Sequence, residues 1–237
     1  SIFNISAMSY GSLSKNAIEA LNKGAEINNF AHNTGEGGLS PYHLKHSGDL
    51  IWQIGTGYFG CRSKDGKFDD IEFKKNASFD SVKMIEIKLS QGAKPGHGGI
   101  LPAGKNTPEI AKIRGVKPFT EVVSPPYHTA FSTPLELIQF ISKLRNLSNG
   151  KPVGFKLCVG SKIEFLSICK AMQKLDTYPD FITVDGAEGG TGAAPVEFVQ
   201  HLGSPLRDAL VFVDNCLRGA GLRDRVKVAA SAKIISA

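Results

Sequence analysis

A chain of 237 residues with 41% hydrophobic and 21% charged residues has the size and balance of an ordinary globular protein, which excludes disordered and fibrous classes. The net charge of +6 comes from lysines and arginines scattered without a block of five like charges, so it points to an acidic small molecule and away from nucleic acid. No apolar run reaches bilayer length, and SIFNISAMSYG has neither the basic start nor the long apolar core of a signal peptide, so a cytoplasmic protein with no membrane partner is expected.

Taken in chain order, short apolar runs ending in Gly, Ser or polar residues alternate with stretches of helical period. The pattern predicts strands over 3–8, 30–33, 50–56, 84–89, 121–124, 153–159, 181–185, 211–214 and 226–230, and helices over 15–28, 134–147, 162–175 and 205–217. In the second helix Leu135, Ile138, Ile141 and Leu144 form one apolar stripe, opened by Ser132 and Thr133 with Pro134 in the first turn. Nothing divides the chain: there is no repeat, no low-complexity tract and no linker, so residues 1–237 read as a single domain. The Gly-rich segments 34–70 and 91–108 exceed ordinary connections and read as active-site loops or lids. The cysteines at 61, 158, 169 and 216 form no C-x-x-C pair and no metal-ligand spacing, so they are expected reduced and mostly buried, with no metal site.

Strand ends decide between an open doubly wound sheet and a closed barrel. A Rossmann fold would concentrate G-x-G-x-x-G at the first βα turn, and that motif is missing there. Instead polar and glycine residues close many strands, as in SAMSYGS, NTGEGG, WQIGTGYFG, EIKLSQGAKPG, GFKLC and TVDGAEGGTGAAP. That distribution is what a (β/α)8 TIM barrel needs, because its active site is built at the carboxyl ends of several strands. Lys88 lies inside the run MIEIKLS, where a lysine is costly to bury unless an anion or polar cofactor pairs with it, the alternative being a surface stem that snorkels. Lys94 and the glycines at 96, 98 and 99 follow in a turn where backbone N–H groups can approach a ligand.

The blocks SAMSYGSLS, HNTGEGG, DLIWQIGTGYFGCR, MIEIKLSQGAKPGHGG, GKPVGFKLC and DFITVDGAEGGTGAAP, in this order, resemble the synthase domain of glutamate synthase over essentially the whole chain. The closest likeness is to the stand-alone FMN-binding glutamate synthase type without a glutaminase domain. The resemblance implies an FMN-binding barrel in which ammonia and 2-oxoglutarate give an imine that is reduced to glutamate, with electrons from a reductase or ferredoxin. It implies cofactor contacts at Ala7, Met8 and Ser9, at Gln53 toward the pyrimidine part of the ring, at Lys88 and Lys156, at Asp185, Gly186, Gly189, Gly190 and Gly192, and at Ser231. Lys156 is the first candidate for the positive charge that stabilises the reduced flavin, and Lys88 is placed toward the substrate. Lys94 and Arg114 are implied as anchors of a dicarboxylate, with Glu36 as the acid beside the nitrogen; the catalytic set is then Lys88, Lys156 and Glu36. Read by themselves, Gln53 also suits a core amide and Arg114 a solvated helix face.

Two departures bear on the substrate. His97 stands where the family has an acid, and Ile100 where it has a glutamine, so a related amino or imino acid is the alternative substrate. The chain ends KVAASAKIISA, which resembles the penultimate strand of the barrel, with Ala232 in place of a phosphate-site glycine. The barrel is therefore expected to be truncated before its last strand, and the cysteines of an iron–sulfur cluster in the full-length protein to lie outside this chain. The competing expectation is a catalytically incomplete barrel that binds an anionic ligand or partner chain without turnover.

Overall fold

A computed structural model describes residues 2–190 and 192–234. The chain divides into two compact units. The first comprises Ser1–Ile87, Gly98–Ala130 and Asn146–Lys151; the second comprises Lys88–His97, Phe131–Arg145 and Pro152–Ala237.

The first unit opens with α1 (Lys15–Asn28), whose N-cap Ser14 accepts from the Ala17 N–H and whose C-cap Asn29 turns into the left-handed region at φ 54°. Then come β1 (His32–Asn33), β2 (Leu50–Ile54), α2 (Asp70–Ala77) and β3 (Val82–Lys88). β1 pairs β2 and β2 pairs β3, both parallel, with Gln53 opposite Glu86. All five residues of β2 are buried, as expected of a parallel strand covered on both faces. β4 (Ile100–Leu101) and β5 (Val122–Val123) form a separate antiparallel pair, with α3 (Pro108–Arg114) between them in sequence. Thr107 caps α3, Pro108 enters its first turn and Gly115 ends it at φ 66°.

The second unit carries α4 (Pro134–Leu147), of which its residues run to Arg145, then β6 (Val153–Leu157), α5 (Lys162–Leu175), β7 (Phe181–Asp185), α6 (Leu206–Gly219) and β8 (Lys227–Ser231). β6, β7 and β8 are parallel neighbours. α4 starts with a capping box: Thr133 Oγ1 accepts from the Glu136 N–H, and the Glu136 carboxylate accepts from the Ser132 and Thr133 N–H groups. At the amino ends of the strands one side chain ties three elements. Asp180 Oδ2 accepts from the Val153 N–H at 2.8 Å and from Arg145 Nη2 at 2.9 Å, while the Asp180 backbone bonds Val153 and Lys227.

Three sequence expectations change. Residues 3–8 form no strand; Ile5 makes only an isolated bridge to His32. The strand read at 211–214 gives way to the helix expected over 205–217, because Ala209, Val213 and Leu217 recur every four residues and bury one helical face of α6 while Val211 is exposed. The strand expected at 121–124 shrinks to β5 and pairs antiparallel with β4, outside the parallel set. No helix among the described residues is long and apolar enough to cross a membrane.

Candidate functional site

Each parallel strand ends in chemistry. Asn33 closes β1, Gln53 is next to last in β2, Lys88 closes β3, Lys156 is next to last in β6, and Asp185 and Ser231 close β7 and β8.

In the second unit Lys156 and Asp185 meet. Both side chains are more than nine-tenths buried, and Lys156 Nζ stands 3.7 Å from Asp185 Oδ2, too far for a hydrogen bond and close enough for an ion pair. The same Asp185 oxygen accepts from the Gly92 N–H at 3.0 Å. The chain after Lys88 is laid against β6: the Leu89 N–H donates to Lys156 O at 2.9 Å, and the Cys158 N–H donates to Ser90 Oγ at 2.8 Å. Burial pushes the Cys158 thiol up to about 11, which disfavours the thiolate. Beyond Asp185 the Gly186 N–H donates to Ser231 O, and the Gly189 N–H folds back to Gly186 O. A Cβ added at Gly190 or Gly192 would meet nothing within 4 Å, so this loop borders open space. Glu188 accepts from the Leu206 N–H and so caps α6. Lys88 is half-buried and donates to Gln91 Oε1 at 3.2 Å, whereas Lys94 is 3% exposed. Lys88, for which a snorkelling surface stem was the alternative, is thus neither fully buried nor fully exposed. His97 packs edge-on against Phe198.

The first unit holds two further groupings. Glu86 Oε2 accepts from Gln53 Nε2 at 2.6 Å and from Asn33 Nδ2 at 2.8 Å, all three side chains being buried. Met8 is held beside this network through its N–H to Asn33 O and its carbonyl to His43 Nε2, and Ser9 O accepts from the Ser12 and Leu13 N–H groups next to Ala7 and Met8. The second grouping sets Glu36 near Arg114. Arg114 is 6% exposed, packs 5.0 Å over the Phe59 ring and donates from Nη2 to Tyr10 O at 3.3 Å. Burial pulls its guanidinium below the ordinary arginine range, opposed by the nearby Glu36 carboxylate. The solvated-face alternative for Arg114 is thus overturned. A Cβ on Gly99 would come within 2.6 Å of Glu36 Oε1, so that glycine makes room for the acid. Ile100 is exposed in β4 and offers no polar group.

Glu86 is the residue that the sequence reading passed over. Its signal is faint, an acid at one alternate position of MIEIK, and it gains meaning only from the register that sets it opposite Gln53.

Beside Met8 sits a buried imidazole pair. Burial holds both His32 and His43 down to about 4, their rings are 5.3 Å apart, and neither nitrogen of His32 has a partner among the described residues. The unfolded chain therefore takes up these protons first, and the stability present above pH 6.5 is lost as pH falls toward 4, the folded value. The loss is expected at up to about 1.4 kcal/mol per pH unit for each ring. Denaturant midpoints at pH 7, 6 and 5 check this; a flat series would contradict it.

Parallel strands alternating with helices, with functional groups at the strands' carboxyl ends, define an α/β fold of the TIM-barrel class. The likeness to solved structures agrees in fold. A crystal structure assigned to a deoxyribose-phosphate aldolase from Coccidioides immitis matches with TM-score 0.51 and 12% identity, covering 96% of this chain and 70% of that one. The family model described as the conserved region in glutamate synthase matches residues 1–237. The glutamate synthase large subunit-like protein YerD of Bacillus subtilis is 46% identical over 98% of this chain and 44% of its own length. The archaeal glutamate synthase [NADPH] of Methanocaldococcus jannaschii is 34% identical over 97% of this chain and 42% of its own. The chain belongs to the glutamate synthase family, and it spans somewhat under half the length of these curated relatives.

Proposed function

We propose that this chain forms the flavin-binding part of an FMN-dependent oxidoreductase that makes glutamate, or a closely related amino acid, from the oxo acid and ammonia. The observation that carries this reading is the Lys156–Asp185 pair: an ammonium buried at a strand end, 3.7 Å from its carboxylate and beside a glycine loop bordering open space. A buried cation set off from its counter-ion suits an anionic or electron-rich ring, and an open glycine loop suits a phosphate or ribityl chain, so the residues present fit FMN. Lys156, Asp185, Gly186, Gly189, Gly190, Gly192 and Ser231 would hold it, and Gln53, Ala7, Met8 and Ser9 are the further contacts that the family likeness implies. FMN, when bound, supplies the two-electron reduction. Lys156 would lower the cost of negative charge on the ring. Lys94 and Arg114 would anchor the substrate carboxylates, Lys88 would sit toward the substrate, and Glu36 would orient ammonia or the imine nitrogen. Ammonia and 2-oxoglutarate condense with loss of water, and the imine takes two electrons and two protons to become glutamate, the electrons coming from a reductase or ferredoxin.

An eight-stranded closed barrel and an iron–sulfur cluster are part of this proposal for the whole protein. Among the described residues no group of three or more His, Cys, Asp or Glu could hold a metal ion, so cluster ligands would come from elsewhere. Because Ile100 has no hydrogen-bonding group and His97 replaces an acid, a related oxo acid is the second reading for the substrate.

The test is absorption and turnover of the purified protein. A bound-flavin band near about 450 nm, and reoxidation of the reduced protein by 2-oxoglutarate with ammonia, are expected. Colourless protein that takes up no FMN would favour the incomplete-barrel alternative, which binds an anionic ligand or a partner chain without turnover.

A further inference from the structure

We infer that Glu86 is a positioning residue that fixes the hydrogen-bonding polarity of Gln53, presenting the Gln53 carbonyl oxygen as an acceptor for a ring N–H of the bound cofactor. The inference rests on the flavin reading above and deepens it.

The polarity can be followed from a group that has no choice. The Gly35 backbone N–H is an obligate donor, and it donates to Asn33 Oδ1 at 3.0 Å. That bond fixes which end of the Asn33 amide is oxygen. Asn33 must then turn Nδ2 the other way, and it does so toward Glu86 Oε2 at 2.8 Å. The Glu86 oxygen is therefore an acceptor, and Gln53 meets that same oxygen at 2.6 Å with its Nε2. Two amide N–H donors converge on one carboxylate oxygen, and a carboxylate, unlike an amide, has no N–H with which to offer either partner the opposite polarity.

The backbone holds Gln53 in place for this. Its N–H donates to Thr34 Oγ1 at 3.1 Å, and that hydroxyl donates onward to Gly35 O at 3.0 Å. Gln53 and Glu86 are also register partners on adjacent parallel strands, so strand pairing itself delivers the two side chains to each other. With Nε2 committed to Glu86, the remaining polar end of Gln53 is Oε1, which only accepts. A ligand edge offered to it must carry a donor. The imide N–H of a flavin pyrimidine ring is such a donor, and a carbonyl or carboxylate is not.

A glutamine at position 86 would dissolve this order. Asn33 keeps its orientation through the Gly35 N–H, but an amide at 86 carries a donor as well as an acceptor. Its oxygen can accept from Asn33 while its N–H meets Gln53, and Gln53 could then turn either end toward a ligand. Stability need change little, since hydrogen bonds of some kind would remain, but selectivity for a donor edge would be lost.

The experiment titrates apoprotein with FMN and with 3-deaza-FMN, in which a C–H replaces the ring N–H, and follows thermal unfolding of the same apoproteins. The native protein is expected to prefer FMN roughly tenfold or more, because a site built to accept a hydrogen bond rejects the analogue that lacks the donor. In Glu86→Gln the preference should fall to about threefold or less, with an unfolding temperature close to native. A folded Glu86→Gln that keeps the native preference would overturn the inference while leaving the flavin reading intact, and so would a native protein that binds both flavins equally. Native protein that binds neither flavin would overturn the flavin reading itself. Should Glu86→Gln fail to fold, Gln53→Met, which removes the acceptor and leaves the Asn33–Glu86 bond, carries the same test: its preference must collapse, and persistence of the preference would overturn the inference.

Discussion

Replacing Gly92 by alanine is expected to destabilise the protein by about 3 kcal/mol or more, lowering its unfolding temperature by roughly 6–12 °C. A Cβ at this position would fall well inside van der Waals contact with the Gly186 carbonyl oxygen and 2.7 Å from its carbonyl carbon. Both obstacles are backbone atoms, so no side-chain rotation can relieve the overlap. Neither backbone can retreat freely. The Gly92 N–H is bonded to Asp185, and Gly186 is bonded through its own N–H to Ser231 and through its oxygen to Gly189. Relief would have to pull the loop after Lys88 away from the end of β7 and take the hydrogen bond on Asp185 with it. Gly190→Ala is the matched control. Its Cβ would meet nothing within 4 Å, so the apoprotein should melt within about 1 °C of native, while FMN uptake should weaken if this loop borders the cofactor. Differential scanning calorimetry of the three proteins checks both statements; equal unfolding temperatures for Gly92→Ala and native protein would show that the two segments part easily.

The second large effect is expected at Lys156. Lys156→Met keeps the length of the side chain and removes its charge, so cofactor uptake should weaken modestly while the rate of cofactor reduction falls by about 10²-fold or more, the magnitude typical of losing one preorganised electrostatic group. Lys156→Arg should recover much of that rate, because the charge returns although the guanidinium is wider than an ammonium. Stopped-flow reduction with a chemical donor reads the rate directly and needs no natural electron partner. Unchanged reduction in Lys156→Met would remove Lys156 from its proposed role. Loss of binding in equal proportion to the rate would assign it to attachment alone.

The helices were legible where an apolar stripe persisted over several turns. α1, α4 and α5 fall on the expected residues, and α4 shows the cap expected from Ser132 and Thr133. β7 is also where four consecutive residues of high strand propensity, Phe181 to Val184, place it. α2 and α3 escaped notice because eight and seven residues give too few turns for a period to emerge, so their caps at Asp69 and Thr107 were the better signal. α6 was expected too, over 205–217, and falls there; the strand read within it at 211–214 fails because alternation and helical spacing agree over so short a window as VFVD. The strand-end residues could be read locally as Lys156, Asp185 and the glycines after it. Glu86 could not, because its partners lie 33 and 53 positions away in sequence and meet it only through parallel pairing. Arg114 illustrates the same limit from the other side. AKIRG looks like an ordinary exposed turn of helix, and nothing local foretells that Phe59 and Tyr10 will cover its guanidinium.

The clasp formed by Asp180 has a wider meaning for how such a protein can change. Arg145, Val153 and Lys227 are fastened to one acidic residue at the strand origins, whereas Lys156, Asp185 and Ser231 stand at the strand exits. Anchorage and the proposed cofactor site therefore occupy opposite ends of the strands in the second unit. A change that weakens the clasp at Asp180 and a change to the proposed site thus fall on different residues of the second unit.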